Sequence, residues 1–275
     1  MEIKLLAFDL DGTTIVKHSA LPEANRQALL AAAEQGVILV PATGRMKDFL
    51  PEEITRLPVR YAITSNGGAV YDLSTGAAIV ERLIPNQTAL AVQRVLDGYD
   101  IYIEYYTGGQ AITRTDMPGL ARAHFGFPES KWGFVDGKSY ALTDNLGQML
   151  LETGLCPEKI NLPFLRPGQR EEIWRRLTAL GGLRLTSSIQ DNIEINAADA
   201  HKGGALLALA AQLGLPREAL MAVGDNGNDV TMLEAAGCSV AVADGAPEAK
   251  AAAKYLTAAH DADGLAAAIQ QFILT

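Results

Sequence analysis

Two aspartates, Asp9 and Asp11, stand two residues apart directly after an apolar run over residues 3–8, and Gly12-Thr13 follows them. Carboxylates so spaced at a strand end can converge on one atom: the first points into the site, and the turn carries the second round to it. Alone, the pair fits a solvated turn closed by Asx hydrogen bonds equally well. A second acidic segment changes the balance, because Gly224-Asp225-Asn226-Gly227-Asn228-Asp229 also follows a short apolar run, residues 220–223. A parallel sheet would gather Asp9, Asp11, Asp225 and Asp229 at one edge. Two like charges about 4 Å apart cost about 4 kcal/mol at an effective dielectric of roughly 20, so such a cluster calls for a cation. Oxygen donors without nitrogen or sulfur favour magnesium, held by one or two carboxylates, a carbonyl, waters and a phosphate oxygen.

The elements that must position these groups alternate. Residues 3–8 read as a buried strand, and a helical pattern opened by Leu21-Pro22-Glu23 follows, closed by Gly36 at a C-cap position. A second strand over 37–40 ends at Pro41-Ala42-Thr43-Gly44-Arg45, and a third over 61–64 ends at Ser65-Asn66-Gly67-Gly68. This repetition implies a parallel sheet with right-handed crossovers, whose functional groups gather beyond the C-terminal strand ends. From about Pro85 the character changes, and the following stretch holds most of the aromatic residues, Trp132 and Trp174 among them. The expected organisation is a core over residues 1–84, an inserted α/β domain over 85–190 and a resumed core over 191–275. Within the insertion, 86–96 and 170–180 read as helices and 99–106, 158–165 and 183–188 as strands; another strand is read just beyond it, at 192–196. The βα rhythm then returns with a helix over 202–213, strands over 220–223 and 239–242, and a solvated Ala-rich helix over 246–254.

A chain of 275 residues with 48% hydrophobic content can bury a substantial core, which excludes disorder. Its longest apolar runs fall far short of the roughly 20 residues that span a bilayer, and the opening residues carry neither a signal nor a transit pattern, so a cytoplasmic location is expected. Cys156 and Cys238 have no Cys or His at ligand spacing and read as small apolar residues rather than disulfide or zinc partners. A net charge of −9 with no basic run argues against nucleic acid as a partner. The sequence carries no signal for oligomeric state.

Asp9-Leu10-Asp11-Gly12-Thr13, Thr43-Gly44-Arg45, Lys202-Gly203 and Gly224-Asp225-Asn226-Gly227-Asn228-Asp229 resemble, in this order, the four motifs of the haloacid dehalogenase superfamily. The Thr-Gly-Arg form of the second motif, the Ser65–Gly68 segment and the large insertion before the lysine resemble its Cof-like branch with a type IIB cap. The resemblance spans residues 1 to about 84 and 190 to 275. It implies a Rossmann-like, doubly wound parallel sheet core with an inserted α/β cap, and a Mg2+-dependent hydrolase of small phosphate monoesters, sugar phosphates foremost. Carried over residue by residue, Asp9 is the nucleophile and a metal ligand, and Asp11 is the general acid/base that also binds metal through its carbonyl. Asp225 completes the metal site. Thr43, the Gly44 amide, Asn66, Lys202 and Asn228 hold the substrate phosphate. Arg45 either faces that phosphate or forms a salt bridge, and Asp229, a step behind, orients either Lys202 or a metal-bound water. The chemistry agrees: a carboxylate attacking phosphorus splits one difficult displacement into two easier ones, and a second carboxyl can serve leaving group and water in turn.

A sugar phosphomutase would share the first motif, whereas a regulatory binding protein would need no acid/base. In the insertion, alternation puts Tyr102, Glu104 and Tyr106 on one face, either a sugar-binding surface or an ordinary half-buried strand. Arg114, Trp132 and Lys138 are similarly open. His18, His124 and His260 read as surface residues, while His201 either approaches the site or has no defined task. Two positions depart from the branch's usual pattern: Gly245, within Ala243-Asp244-Gly245-Ala246, replaces an Asn and puts a loop contact in doubt, and Thr14 replaces a frequent Leu with no consequence readable in the sequence.

Overall fold

The computed structural model describes residues 2–17, 20–127, 140–188 and 191–274; His18, Trp132 and Lys138 lie outside them. The chain divides into two compact units, one of Met1–Arg45, Leu50–Glu81 and His201–Thr275, the other of Met46–Phe49 and Arg82–Ala200.

In the first unit five strands form a sheet whose neighbours are all parallel, in the order β14 (Tyr255–Thr257), β13 (Cys238–Val242), β12 (Leu220–Gly224), β1 (Leu5–Phe8) and β2 (Ile38–Pro41). Strand β1 reads as unbroken apolar sequence because both its faces are covered. Leu6 and Phe8 pack with Leu29, Met221, Val223 and Ile269, under helices Glu23–Glu34 and Gly264–Phe272. Leu5 and Ala7 pack on the opposite side with Leu206, Leu209 and Ala222, against helix Lys202–Gln212. This is the doubly wound core that the sequence implied. Strand order reverses at β1, flanked by β12 on one side and β2 on the other, and such a switch point opens a crevice at the C-terminal strand ends.

Strand β3 (Tyr61–Thr64) lies where expected but has a partner the sequence did not indicate. It does not extend the parallel sheet by a ladder but pairs antiparallel with β4 (Ala69–Asp72), which pairs in turn with β5 (Ala77–Glu81). Two parallel bridges, Leu39 to Val59 and Ala42 to Ile63, nonetheless run the β3 segment alongside β2 in the expected direction; its antiparallel pairing with β4 follows from the next turn. The reason is local: Ser65, Asn66 and Gly67 take φ of 51°, 57° and 92°, reversing the chain within a few residues. A parallel partner would need a crossover of roughly a dozen residues.

The second unit carries a six-stranded sheet built from β6 (Glu104–Thr107), β7 (Gln110–Arg114), β8 (Tyr140–Thr143), β9 (Lys159–Leu162), β10 (Leu183–Thr186) and β11 (Ile193–Ala197), in the order β10-β11-β9-β6-β7-β8. All pairs are antiparallel except β7 with β8. Tyr105, Ile160, Leu162, Ile193 and Ile195 form an apolar cluster with residues of helices Asn86–Leu96, Leu146–Thr153 and Gln169–Thr178. The strand expected over 99–106 begins only at Glu104. Tyr102 precedes it and lies in a separate cluster, its ring 5.8 Å from Phe125 and 5.1 Å from Phe127. Glu104 is wholly buried and accepts hydrogen bonds from Tyr106, Tyr140 and Asn161, so the three residues are not an open sugar platform. Arg114 pairs with Asp116 at 2.8 Å, and the exposed His124 pairs with Asp100 at 2.8 Å. Cys238 is buried and Cys156 half-buried, both free thiols. No helix among the described residues is long and apolar enough to cross a membrane.

Lys159 and Glu194 form a buried ion pair in this sheet, 2.8 Å apart with side chains 2% and 5% exposed. Removing one partner strands the other charge, so Lys159→Met should cost about 3–5 kcal/mol of stability, read from the urea midpoint. The double change Lys159→Met with Glu194→Leu should recover most of that loss.

Candidate active site

The sheet register delivers the acidic residues to one place. Phe8 is paired with Val223, and the Asp9 amide donates to the Val223 carbonyl at 3.0 Å, so Asp9 leaves its strand beside Gly224-Asp225. On the other flank Ala42 N donates to the Phe8 carbonyl at 2.8 Å, which brings Thr43 to the same edge. The Ser65–Gly67 turn is tied there by Asn66 N, which donates to the Thr43 carbonyl at 3.0 Å. Lys202 opens its helix just behind this turn. A Cβ on Gly67 would stand 2.4 Å from the His201 carbonyl, and one on Gly203 2.0 Å from the Thr231 carbonyl; only glycines let these backbones meet. His201 is the N-cap of that helix: its Nδ1 accepts from Gly204 N at 2.9 Å, so the ring serves the helix start.

The Lys202 side chain has no exposed surface, and its ammonium lies 2.5 Å from Asp9 Oδ1 and 2.6 Å from Asp229 Oδ1. Asp229 Oδ2 accepts from the amides of Asp225 and Asn226 at 3.0 and 3.1 Å, which commits both of its oxygens. Asp225 Oδ1 accepts from the Thr13 hydroxyl at 2.8 Å. Asp9, Asp225 and Asp229 each place a carboxylate oxygen within 4.8 Å of the others. Burial pushes the Asp9 carboxyl well above the usual range, with Lys202 opposing the shift and Asp229 and Asp225 adding to it. Burial, then the charge of Asp229, pushes Asp225 up to about 6. Burial also works against the charge on Lys202, but Asp229 and Asp9 more than offset it and hold the ammonium protonated.

Three carboxylates around one ammonium leave negative charge uncompensated, which a divalent cation would relieve. With Asp229 committed, Asp9 and Asp225 are the pair that could hold one. Gly12, at φ 84°, leaves room for the Asp225 carboxylate, since a Cβ there would stand 2.7 Å from its Oδ2. An all-oxygen donor set of this kind fits a hard ion such as magnesium and disfavours zinc.

Of the remaining site residues, Asn228 donates from Nδ2 to Asn66 Oδ1 at 3.2 Å, and the Thr43 hydroxyl accepts from Arg45 N at 3.1 Å, with Gly44 in the bend between Thr43 and Arg45. Asp11 stands apart from the acidic cluster. The turn after Leu10, whose carbonyl accepts from the amides of Thr13, Thr14 and Ile15, carries Asp11 towards Arg45. That guanidinium grips its carboxylate at 2.8 and 2.6 Å and is itself only 9% exposed. The expected group of four carboxylates is therefore three, and Arg45 takes its salt-bridge alternative. The loop placed in doubt by Gly245 does reach the site edge, because Ala246 N donates to the Asp225 carbonyl at 2.7 Å. His260 pairs with Asp244, away from this cluster. Sequence reasoning gave no role to Thr13 or Gly67. For Gly67, the available signal was a glycine directly after Ser-Asn, a composition that favours left-handed turns.

A family model described as haloacid dehalogenase-like hydrolase matches residues 6–269, and the chain belongs to this family. It is 29% identical over its whole length to the 5-amino-6-(5-phospho-D-ribitylamino)uracil phosphatase YcsE of Bacillus subtilis, covering 97% of that protein. The structure of a haloacid dehalogenase-like hydrolase from B. subtilis, 28% identical, aligns over 98% of this chain and 100% of its own with a TM-score of 0.83. A subclass IIB sugar phosphatase aligns over 98% of both chains with a TM-score of 0.79; at 22% identity it shows the shared fold. The protein is an enzyme of the phosphatase type, as the motif order implied.

The close approach at Gly67 is open to test. Gly76 also has a positive φ, but nothing lies within 4 Å of where a Cβ on it would stand, so Gly76→Ala carries only the backbone cost, about 1–2 kcal/mol. Gly67→Ala should lose about 1–3 kcal/mol more, because the His201 carbonyl must move, and thermal unfolding of the two variants reads the difference.

Proposed function

We propose that the enzyme hydrolyses small phosphate monoesters, sugar phosphates foremost, with magnesium and through a phosphorylated Asp9. The observation that carries this reading is the wholly buried Lys202 ammonium shared between Asp9 and Asp229, beside Asp225. It holds the nucleophile in place by one oxygen and puts positive charge where phosphoryl oxygens would lie. The Asp9 carboxylate attacks phosphorus, and the ester P–O bond breaks as Asp11 gives its proton to the leaving oxygen. Asp11 then takes a proton from water, which attacks the aspartyl phosphate, releases inorganic phosphate and restores Asp9. Thr43, the Gly44 amide, Asn66, Lys202 and Asn228 would position the phosphoryl group. Because Arg45 engages both Asp11 oxygens, Asp11 must give up one of these bonds before it carries a proton. Bound magnesium, held by Asp9, Asp225 and the Asp11 carbonyl, would supply neutralisation of the phosphoryl charge. The sugar-phosphate preference is supported by two relatives, one named for a phosphorylated ribityl compound and one for a sugar phosphate.

Phosphate release from p-nitrophenyl phosphate and a sugar-phosphate panel tests the reading. Asp9→Asn should abolish turnover, and Asp11→Asn should lower kcat by about 10² to 10⁴. No release from any ester by folded wild-type protein, unless a bisphosphate activator is added, would turn the reading towards a mutase.

The metal has its own signature. Asp225 sits at about 6 in the fold against an ordinary 3.8, so the folded state binds more protons than the unfolded one. Without divalent cation, stability should therefore fall as pH rises through that window. Magnesium takes the place of the proton, so it should raise the melting temperature clearly at pH 7.5 and progressively less below about pH 6. An identical melting temperature with magnesium and with EDTA at pH 7.5 would remove the metal from the proposal.

A further inference from the structure

Thr14 is fully buried, and its hydroxyl lies 2.5 Å from the main-chain carbonyl of Asp9. A carbonyl only accepts, so the hydroxyl donates. Among the described residues no other hydrogen bond reaches that carbonyl. Thr14's own carbonyl accepts from Asn25 Nδ2 at 3.0 Å, and Asn25 Oδ1 accepts from Ala266 N at 3.0 Å. Asn25 is likewise fully buried, on helix Glu23–Glu34. Ala266 N belongs to the first turn of helix Gly264–Phe272, where amides have no partner within their own helix. One side of the Asn25 amide faces an N–H and the other a C=O, which fixes its orientation. Three hydrogen bonds, two of them buried and the one at Ala266 partly so, thus run from the start of one helix, through a second, to the backbone of Asp9.

The β1 ladder ends at Phe8. Beyond it, among the described residues, the main chain of Asp9 makes two hydrogen bonds, its amide to the Val223 carbonyl and its carbonyl from Thr14. We infer that Thr14 and, behind it, Asn25 are positioning residues for the nucleophile: they fix the Asp9 peptide plane, and with it the direction from which the carboxylate meets phosphorus. This rests on the phosphatase reading with Asp9 as nucleophile. The effect on rate is large for a small displacement, since misplacing a reacting group by about 1 Å costs about 10²-fold. It is also distinct from packing, because valine fills the volume of threonine and removes only the hydroxyl.

The test compares Thr14→Val with Thr14→Ser in the full chain, using p-nitrophenyl phosphate at saturating magnesium. Thr14→Val should lower kcat about tenfold or more while KM stays within about twofold, and Thr14→Ser should keep kcat near the wild-type value. A folded Thr14→Val enzyme with kcat within about twofold of wild type would overturn the inference, whatever its melting temperature. If that variant does not fold, Thr14→Ala is judged by the same criterion. Wild-type turnover that survives Asp9→Asn sinks the phosphatase reading itself and this inference with it, a result distinguishable from an unaffected Thr14→Val in an enzyme that Asp9→Asn kills.

Discussion

The Lys202 ammonium lies 2.5 Å from Asp9 and 2.6 Å from Asp229 with no exposed surface, and much of the first unit's geometry follows from that contact. Removing a cation from water costs several kcal/mol, which is recovered only when opposite charges close on it with good geometry. Strands β1 and β12 must therefore be neighbours, because each hands one acidic segment to the same edge. The helix bearing Lys202 must begin beside that edge. It does so because two glycines, Gly67 and Gly203, let backbone press on backbone at the His201 and Thr231 carbonyls. His201 then closes the first turn by accepting from Gly204, which leaves the lysine next to it free to reach inward.

The same contact does not neutralise the site. Asp229 is consumed by Lys202 and by two backbone amides, whereas Asp9 and Asp225 are left crowded and out of water. Burial first, and then the neighbouring carboxylates, raise their carboxyl pKa values, and proton or metal can relieve that cost. Asp11 is spared by being turned away onto Arg45, which keeps a fourth negative charge out of the cluster. Asp11 held on an arginine and Asp9 held on a lysine are two answers to one problem, that of placing carboxylates where little water reaches.

How much of this was legible in the sequence depends on how local each cause is. Strands buried on both faces read as apolar runs, and their polar ends stood out at Asp9, Thr43 and Asp225, so the core and the gathering of its motifs were readable. The antiparallel pairing of β3 with β4 was not, because it turns on Ser65 and Asn66 holding positive φ, a conformation asparagine tolerates and serine rarely shows. The fate of Asp11 was also hidden, since spacing places two carboxylates near each other but not the arginine that draws one aside. In the second unit, β7 and β8 are short and mixed in polarity, so neither offered a clear period. Tyr102 was misplaced because alternation was extended back through residues that do not join the ladder. Thr14 looked like a neutral replacement for leucine; its partner is the backbone of a residue five positions earlier, which no side-chain pattern reports.

The two buried lysines differ in the charge that surrounds them. Lys159 and Glu194, buried to within 2% and 5% exposure, pair with each other at 2.8 Å. Lys202 is buried as completely, yet it faces a group of three carboxylates. Burial takes both lysines out of water, and at Lys202 the acidic groups outnumber the ammonium they face. Burial alone would rank the two sites equally. The group of three carboxylates at the strand ends of the switch point is the one that leaves charge for a ligand to meet.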